Sequence, residues 1–206
     1  GASSLSITSM ITSVTDAATA RFIGLAQERF GEAPCPFAFM AFGSQGRKEQ
    51  TLFTDQDNAI IFTPGTGQDP IECKTYFLRM AEEVTGNLLL SGYRRCKGEV
   101  MASNPEWCLE LDSWKDRFAG WMNKAEDKEL MEFGTFFDLR CIFGSEPIVH
   151  SLREHAWELL GKNPWFLVQA ATNALAFKSP IRLFGSMPST LDLKVLAMPI
   201  ISFARL

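Results

Sequence analysis

Apolar residues recur every three or four positions from Ser3 to Phe30, at Ile7, Ile11, Val14, Ala18, Phe22 and Leu25. That spacing predicts one long helix that packs through this stripe. Gly31 ends it, and Pro34 and Pro36 prevent a restart. The pattern then changes. Ala38 to Phe42 is a continuous apolar run that stops at Gly43-Ser44. Asn58 to Phe62 is a second run, with Asp55 and Asp57 at its entrance. Runs this short, bounded by turn residues, read as buried strands.

Beyond a turn-rich loop at Pro64 to Gln68, Asp69 is placed to cap a helix with Pro70 at its first position. Phe77, Met80, Ala81, Val84 and Leu88 carry that helix toward Leu90, and Gly92 ends it. Tyr93 to Trp107 has little periodicity, and Glu99-Val100-Met101 is its candidate strand. Arg94, Arg95 and Lys97 make this either a basic loop beside the phosphates of a ligand or a solvated charged loop. Ser113 is a candidate N-cap, with Asp116 three residues on, and Trp114, Phe118, Trp121 and Met122 follow at helical spacing. An aromatic stripe of this kind reads as core or domain interface. Helices are expected from Glu126 to Phe143, from Pro147 to Leu160, from Pro164 toward Lys178, and again near Leu191. Within the first of these, Asp138 and Arg140 either form a buried or interfacial ion pair, or one of the two faces a ligand. His150 and His155 are five apart, off a common helical face, and do not make a metal pair.

Composition narrows the picture. Hydrophobic residues make up 46% of the 206, which excludes a disordered chain. The net charge of −4 implies no general affinity for long nucleic acid. The five cysteines, Cys35, Cys73, Cys96, Cys108 and Cys141, contain no C-x-x-C pair, so reduced thiols in a cytoplasmic protein are expected rather than zinc ligands. No apolar run approaches a membrane span. Gly1 and the amphipathic end at Phe203-Ala204-Arg205-Leu206 suggest a piece excised from a longer protein.

The chemistry concentrates between Phe37 and Phe62. Residues two apart on a strand share a face, so Asp55 and Asp57 stand side by side with Gln56 turned away. Paired carboxylates repel, and a hard divalent cation relieves the repulsion. Mg²⁺ is the expected ion, with Mn²⁺ as the alternative. A glycine turn entering a helix offers free N–H groups to phosphate oxygens, and Arg47 and Lys48 add positive charge nearby. Together these groups suit a nucleoside triphosphate with its metal.

Gly43-Ser44 followed by Asp55-x-Asp57 resembles the signature of the DNA-polymerase-β-like nucleotidyltransferase superfamily. The longer strings Gly43 to Gln50 and Thr54 to Asp57 resemble, within it, the nucleotidyltransferase domain found beside CBS or cyclic-nucleotide-binding domains in bacterial signalling proteins. That group is related to the PII-protein uridylyltransferase and the glutamine-synthetase adenylyltransferase. Val100 to Pro105, Phe137 to Arg140 and Leu191 to Lys194 extend the likeness. The resemblance implies an α+β fold of nucleotidyltransferase type. Its small mixed sheet is backed by helices, with an N-terminal helix and a C-terminal helical bundle. The expected boundaries are 1–33, 34–112 and 113–206.

It also implies roles. Asp55 and Asp57 would hold the metal. Gly43, Ser44, Arg47 and Lys48 would bind the nucleotide, with Arg47 offsetting charge on the leaving pyrophosphate. Active members carry a third carboxylate on a later strand. Glu99 is the first candidate for it, then Glu110 and Asp112, then Asp138. The implied activity is transfer of a nucleoside monophosphate to a protein or small-molecule acceptor. The alternative is an inactive nucleotide-sensing module of a larger signalling protein.

Overall fold

The computed structural model describes residues 3–124 and 126–176. The expected helix near Leu191 and the Leu191 to Lys194 string lie outside them. By its contacts the chain divides into two compact units, Gly1–Asp116 with Asp138–His155, and Arg117–Phe137 with Ala156–Leu206.

The first unit is built on a mixed sheet. Helix α1 spans Ser4–Phe30, strand β1 Phe37–Ala41, and the single turn α2 Gly43–Gly46. Strands β2 and β3 follow at Asp55–Gln56 and Asn58–Phe62, then helix α3 at Pro70–Leu90 and strand β4 at Arg94–Arg95. A 3₁₀ turn at Pro105–Trp107 leads into β5, Cys108–Glu110, and helix α4, Leu111–Lys124. Helix α5 is Asp127–Phe137, strand β6 Arg140–Gly144, helix α6 Glu146–Lys162, and helix α7 Pro164–Ala176. The main sheet runs β5-β3-β1-β6, and β2 and β4 form a separate pair. β1 is antiparallel to both β3 and β6, whereas β5 is parallel to β3. This is the α+β architecture expected, a small mixed sheet backed by helices.

Every residue of β1 and β3 is buried, which is why both read as unbroken apolar runs. One face packs Phe37, Phe39, Ile60 and Phe62 against Phe77, Met80 and Val84 of α3 and Ile23 and Ala26 of α1. Helix α3 starts as expected: the Asp69 carboxylate accepts from the Ile71 N–H at 2.8 Å, and Pro70 opens the first turn.

Four elements differ from the sequence expectation. Helix α1 has the expected length but packs through another face. Thr12, Thr15, Thr19, Ile23 and Ala26 are buried, while Ile7 and Val14 are 48% and 61% exposed. The threonine hydroxyls donate to carbonyls one turn back, at 2.9 Å from Thr12 to Thr8 and 2.8 Å from Thr19 to Thr15. With the hydroxyl satisfied internally, threonine presents its methyl group like a valine, and a count of apolar residues misses it. Glu99-Val100-Met101 forms no strand; the neighbour of β3 on that side is β5. Helix α4 begins at Leu111, so Ser113 lies inside it rather than at its cap. The helix expected from Glu126 to Phe143 stops at Phe137, and Arg140–Gly144 becomes the edge strand beside β1. A five-residue strand carries too few positions to separate period two from a helix end.

In the second unit, Phe118 lies 5.1 Å from Trp121, Trp121 5.1 Å from Phe136, and Phe133 4.8 Å from Phe166, ring centre to ring centre. These buried rings are the core that the aromatic stripe foretold. No described helix is long and apolar enough to cross a membrane.

Candidate functional site

Strand β1 delivers the chain into α2, and Asp57, just before β3, lies beside it. The Phe42 N–H donates to the Asp57 carbonyl at 3.0 Å, which ties the start of the turn to the Asp-x-Asp segment. Gly43 has φ +53, and a Cβ there would sit 3.2 Å from Oδ2 of Asp57. Only glycine combines that backbone with so close an approach. The N–H groups at the start of a helix have no acceptor within it. Gly43 and Ser44, which open the turn, therefore lie at the edge of the Asp57 carboxylate.

Gly46 is equally constrained. A Cβ at Gly46 would lie 2.1 Å from the carbonyl oxygen of Asp138. The turn is thus pressed against the entry to β6. Around it, the Arg140 guanidinium donates to the Gln45 carbonyl at 3.0 Å and meets Asp16 of α1 at 2.8 Å. Asp16 also accepts from the buried Gln45 side chain at 3.0 Å. Arg47 pairs with Glu49 at 2.8 Å and with the carboxylate of Asp138. Burial works against its charge, but these two carboxylates outweigh it and raise the guanidinium pKa. Asp138 and Arg140 therefore do not pair with each other; each anchors the α2 segment through a different partner.

Strand β2 holds Asp55 in parallel pairing with Arg94, and Gln56 with Arg95. Gln56 is buried and turned away from its neighbours, its amide donating to the Thr85 carbonyl at 3.2 Å. Both aspartates are half-buried. The basic loop, read either as ligand-side or as a solvated charged loop, pairs with Asp55 through Arg94 of β4, and the Arg94 guanidinium covers the exposed ring of Phe53 at 5.4 Å.

The group that joins the two aspartates is a thiol. One ligand atom each from Asp55, Asp57 and Cys96 lie within 4.8 Å of one another. Burial pushes the Cys96 thiol up to about 11, with its hydrogen bond to Asp57 adding to the rise. The loop bearing it is pinned from below by Asn58, which is buried at the first position of β3. Its N–H donates to the Val100 carbonyl at 3.1 Å, and its Oδ1 accepts from the Ala102 N–H at 2.8 Å. Sequence reasoning missed Cys96, Asp16 and Asn58. The two aspartates and Cys96 are far apart in the chain, and no local spacing signals their meeting.

None of the four candidate third carboxylates joins that cluster among the described residues. Glu99 is exposed in a turn with φ +55. Glu110 pairs with Phe62 at the far end of β3, five residues or about 16 Å of strand from Asp57. The Asp112 side chain is 91% exposed beside Lys115, and Asp138 is taken up by Arg47. Lys48 is exposed, with φ +61.

A small mixed sheet with a glycine turn against an Asp-x-Asp strand entrance is a nucleotidyltransferase-like arrangement. The family model described as Putative nucleotidyltransferase DUF294 matches residues 1–128, and the chain belongs to that family. No curated protein and no solved structure matches it.

Proposed function

We propose that the chain transfers a nucleoside monophosphate from a nucleoside triphosphate to a hydroxyl of a protein or small-molecule acceptor, with Mg²⁺ or Mn²⁺ held by Asp55 and Asp57. The observation that carries this reading is the convergence of those two carboxylates beside the free N–H groups of the Gly43-Ser44 turn, in a member of a nucleotidyltransferase family. Two half-buried carboxylates close to each other fit a hard divalent cation that also takes phosphate ligands. When bound, the cation offsets charge on the phosphates and polarises them.

The chain's own groups do the rest. The Gly43 and Ser44 N–H groups donate to the terminal phosphates. Lys48 adds an exposed positive charge next to them. Arg47, committed to Glu49 and Asp138, fixes the loop more than it meets the pyrophosphate. In the reaction the acceptor oxygen bonds to the α-phosphorus, the bond to the pyrophosphate oxygen breaks, and the acceptor proton passes to water or a base. Glu99, exposed on the loop that carries Cys96, is the candidate for such a base.

A second reading draws on two observations: the cluster lacks a third carboxylate, and Arg47 is already neutralised. In it the chain binds Mg-nucleotide without turnover and reports the nucleotide to CBS or cyclic-nucleotide-binding domains of a longer cytoplasmic signalling protein. Calorimetric titration with each of the four common triphosphates, in Mg²⁺ and in EDTA, tests both readings. Magnesium-dependent binding with pyrophosphate release on adding acceptor supports the transferase. Binding without release supports the sensor, and no binding removes both.

A further inference from the structure

The two aspartates are a familiar kind of pair; the thiol between them is not. Cys96 is 9% exposed, so it is not on the loop for contact with solvent. Its place is imposed by the backbone around it. The Glu99 N–H closes a tight turn onto the Cys96 carbonyl at 3.1 Å. The Val100 and Ala102 backbone is fastened to Asn58, the residue directly after Asp57. The same short stretch at the entrance to β3 therefore positions both the Asp57 carboxylate and the sulfur.

Resting on the reading of Asp55 and Asp57 as metal ligands, we propose that Cys96 is the third protein ligand. The site is then an O,O,S triad that takes a borderline divalent cation, Co²⁺ or Zn²⁺, in preference to Mg²⁺. The physical reason is ligand softness. Thiolate sulfur bonds Zn²⁺ and Co²⁺ well and Mg²⁺ poorly, while carboxylates accept all of them. Three donor atoms within 4.8 Å can close on one ion of ordinary bond length with small side-chain movements. Ligation exchanges the thiol proton for the metal, and the proton leaves to solvent. With Mg²⁺ only the two carboxylates engage; with the softer ions the sulfur completes a face of the coordination shell and leaves the opposite face for phosphate or water.

The test is Co²⁺ titration of the full chain, read by absorption. A sulfur-to-cobalt charge-transfer band in the near ultraviolet is expected in the parent and lost in Cys96→Ser. That variant should still bind Co²⁺ through the aspartates, at least about 10-fold more weakly. Cadmium NMR of the parent protein gives the same answer without a variant, since a sulfur ligand moves the cadmium resonance well away from that of an all-oxygen site. Cobalt binding without the band, a band that survives in Cys96→Ser, or an all-oxygen cadmium resonance overturns the proposal and leaves the aspartate site standing. If neither Co²⁺ nor Mg²⁺ binds the parent, with or without a triphosphate, the reading of the aspartates fails and the thiol ligand with it.

Discussion

Asp57 is where the turn, the strand and the thiol meet, and single-residue changes around it should separate their roles. Asp57→Asn keeps the shape and the capacity to accept the Cys96 hydrogen bond while removing the charge. It should weaken Mg-nucleotide binding by roughly 10-fold or more, since each unit charge facing a cation at close range contributes on the order of 1–4 kcal/mol. Calorimetry should show this with the thermal midpoint little changed; an unchanged affinity would mean that the carboxylates do not face the metal. Lys48 offers a cleaner separation. Its φ of +61 disfavours any residue with a Cβ, by about 1–2 kcal/mol. Lys48→Gly should therefore raise the melting temperature and weaken triphosphate binding in the same molecule. Lys48→Ala should weaken binding without the gain in stability.

Elements meet here through backbone rather than through large side chains, so small substitutions have large effects. Gly46→Ala places a methyl carbon 2.1 Å from the Asp138 carbonyl oxygen, and both partners are main chain of α2 and of the segment entering β6. Neither can turn aside as a side chain would. The expected cost is about 3 kcal/mol or more, visible as a lowered denaturation midpoint and as increased hydrogen exchange in β6. Asn58→Ala acts on a different joint. It leaves the Ala102 N–H buried without its acceptor, at a cost of about 1–3 kcal/mol. The loop from Cys96 to Trp107 should then exchange its amides faster while β1 stays protected. Equal protection of that loop in the variant would show that Asn58 does not hold it.

The whole molecule carries a dependence on alkaline pH. Burial pushes the thiols of Cys108 and Cys141 up to about 12 from 9.0, and that of Cys96 to about 11. Below pH 9 these groups are protonated in folded and unfolded chains alike, and stability does not depend on them. Between pH 9 and about 11–12 the unfolded chain releases protons that the folded chain keeps. The unfolded state then binds fewer protons, so stability falls as pH rises. Urea midpoints should be level from pH 7 to 8.5 and fall above 9, and Cys108→Ala should flatten part of that fall. A midpoint insensitive to pH up to 11 would mean that these thiols are open to solvent.

What the sequence determined was whatever lies within one local stretch. The strands at Phe37–Ala41 and Asn58–Phe62, the capped helix from Pro70 and the glycine turn followed by paired aspartates follow from composition and spacing of neighbours. Hydrophobic burial and backbone sterics act there at short range. The tertiary structure alone decided the rest. It chose the threonine face of α1, because a hydroxyl satisfied inside its own helix is free to be buried. It turned Arg140–Gly144 into an edge strand, because the free edge of β1 offered a hydrogen-bonding partner. It tied Arg47 to Asp138 and Arg140 to Asp16, and it set Cys96 between two aspartates about 40 residues away along the chain. Those meetings depend on how strands are ordered and loops are fastened, which no spacing along the chain encodes.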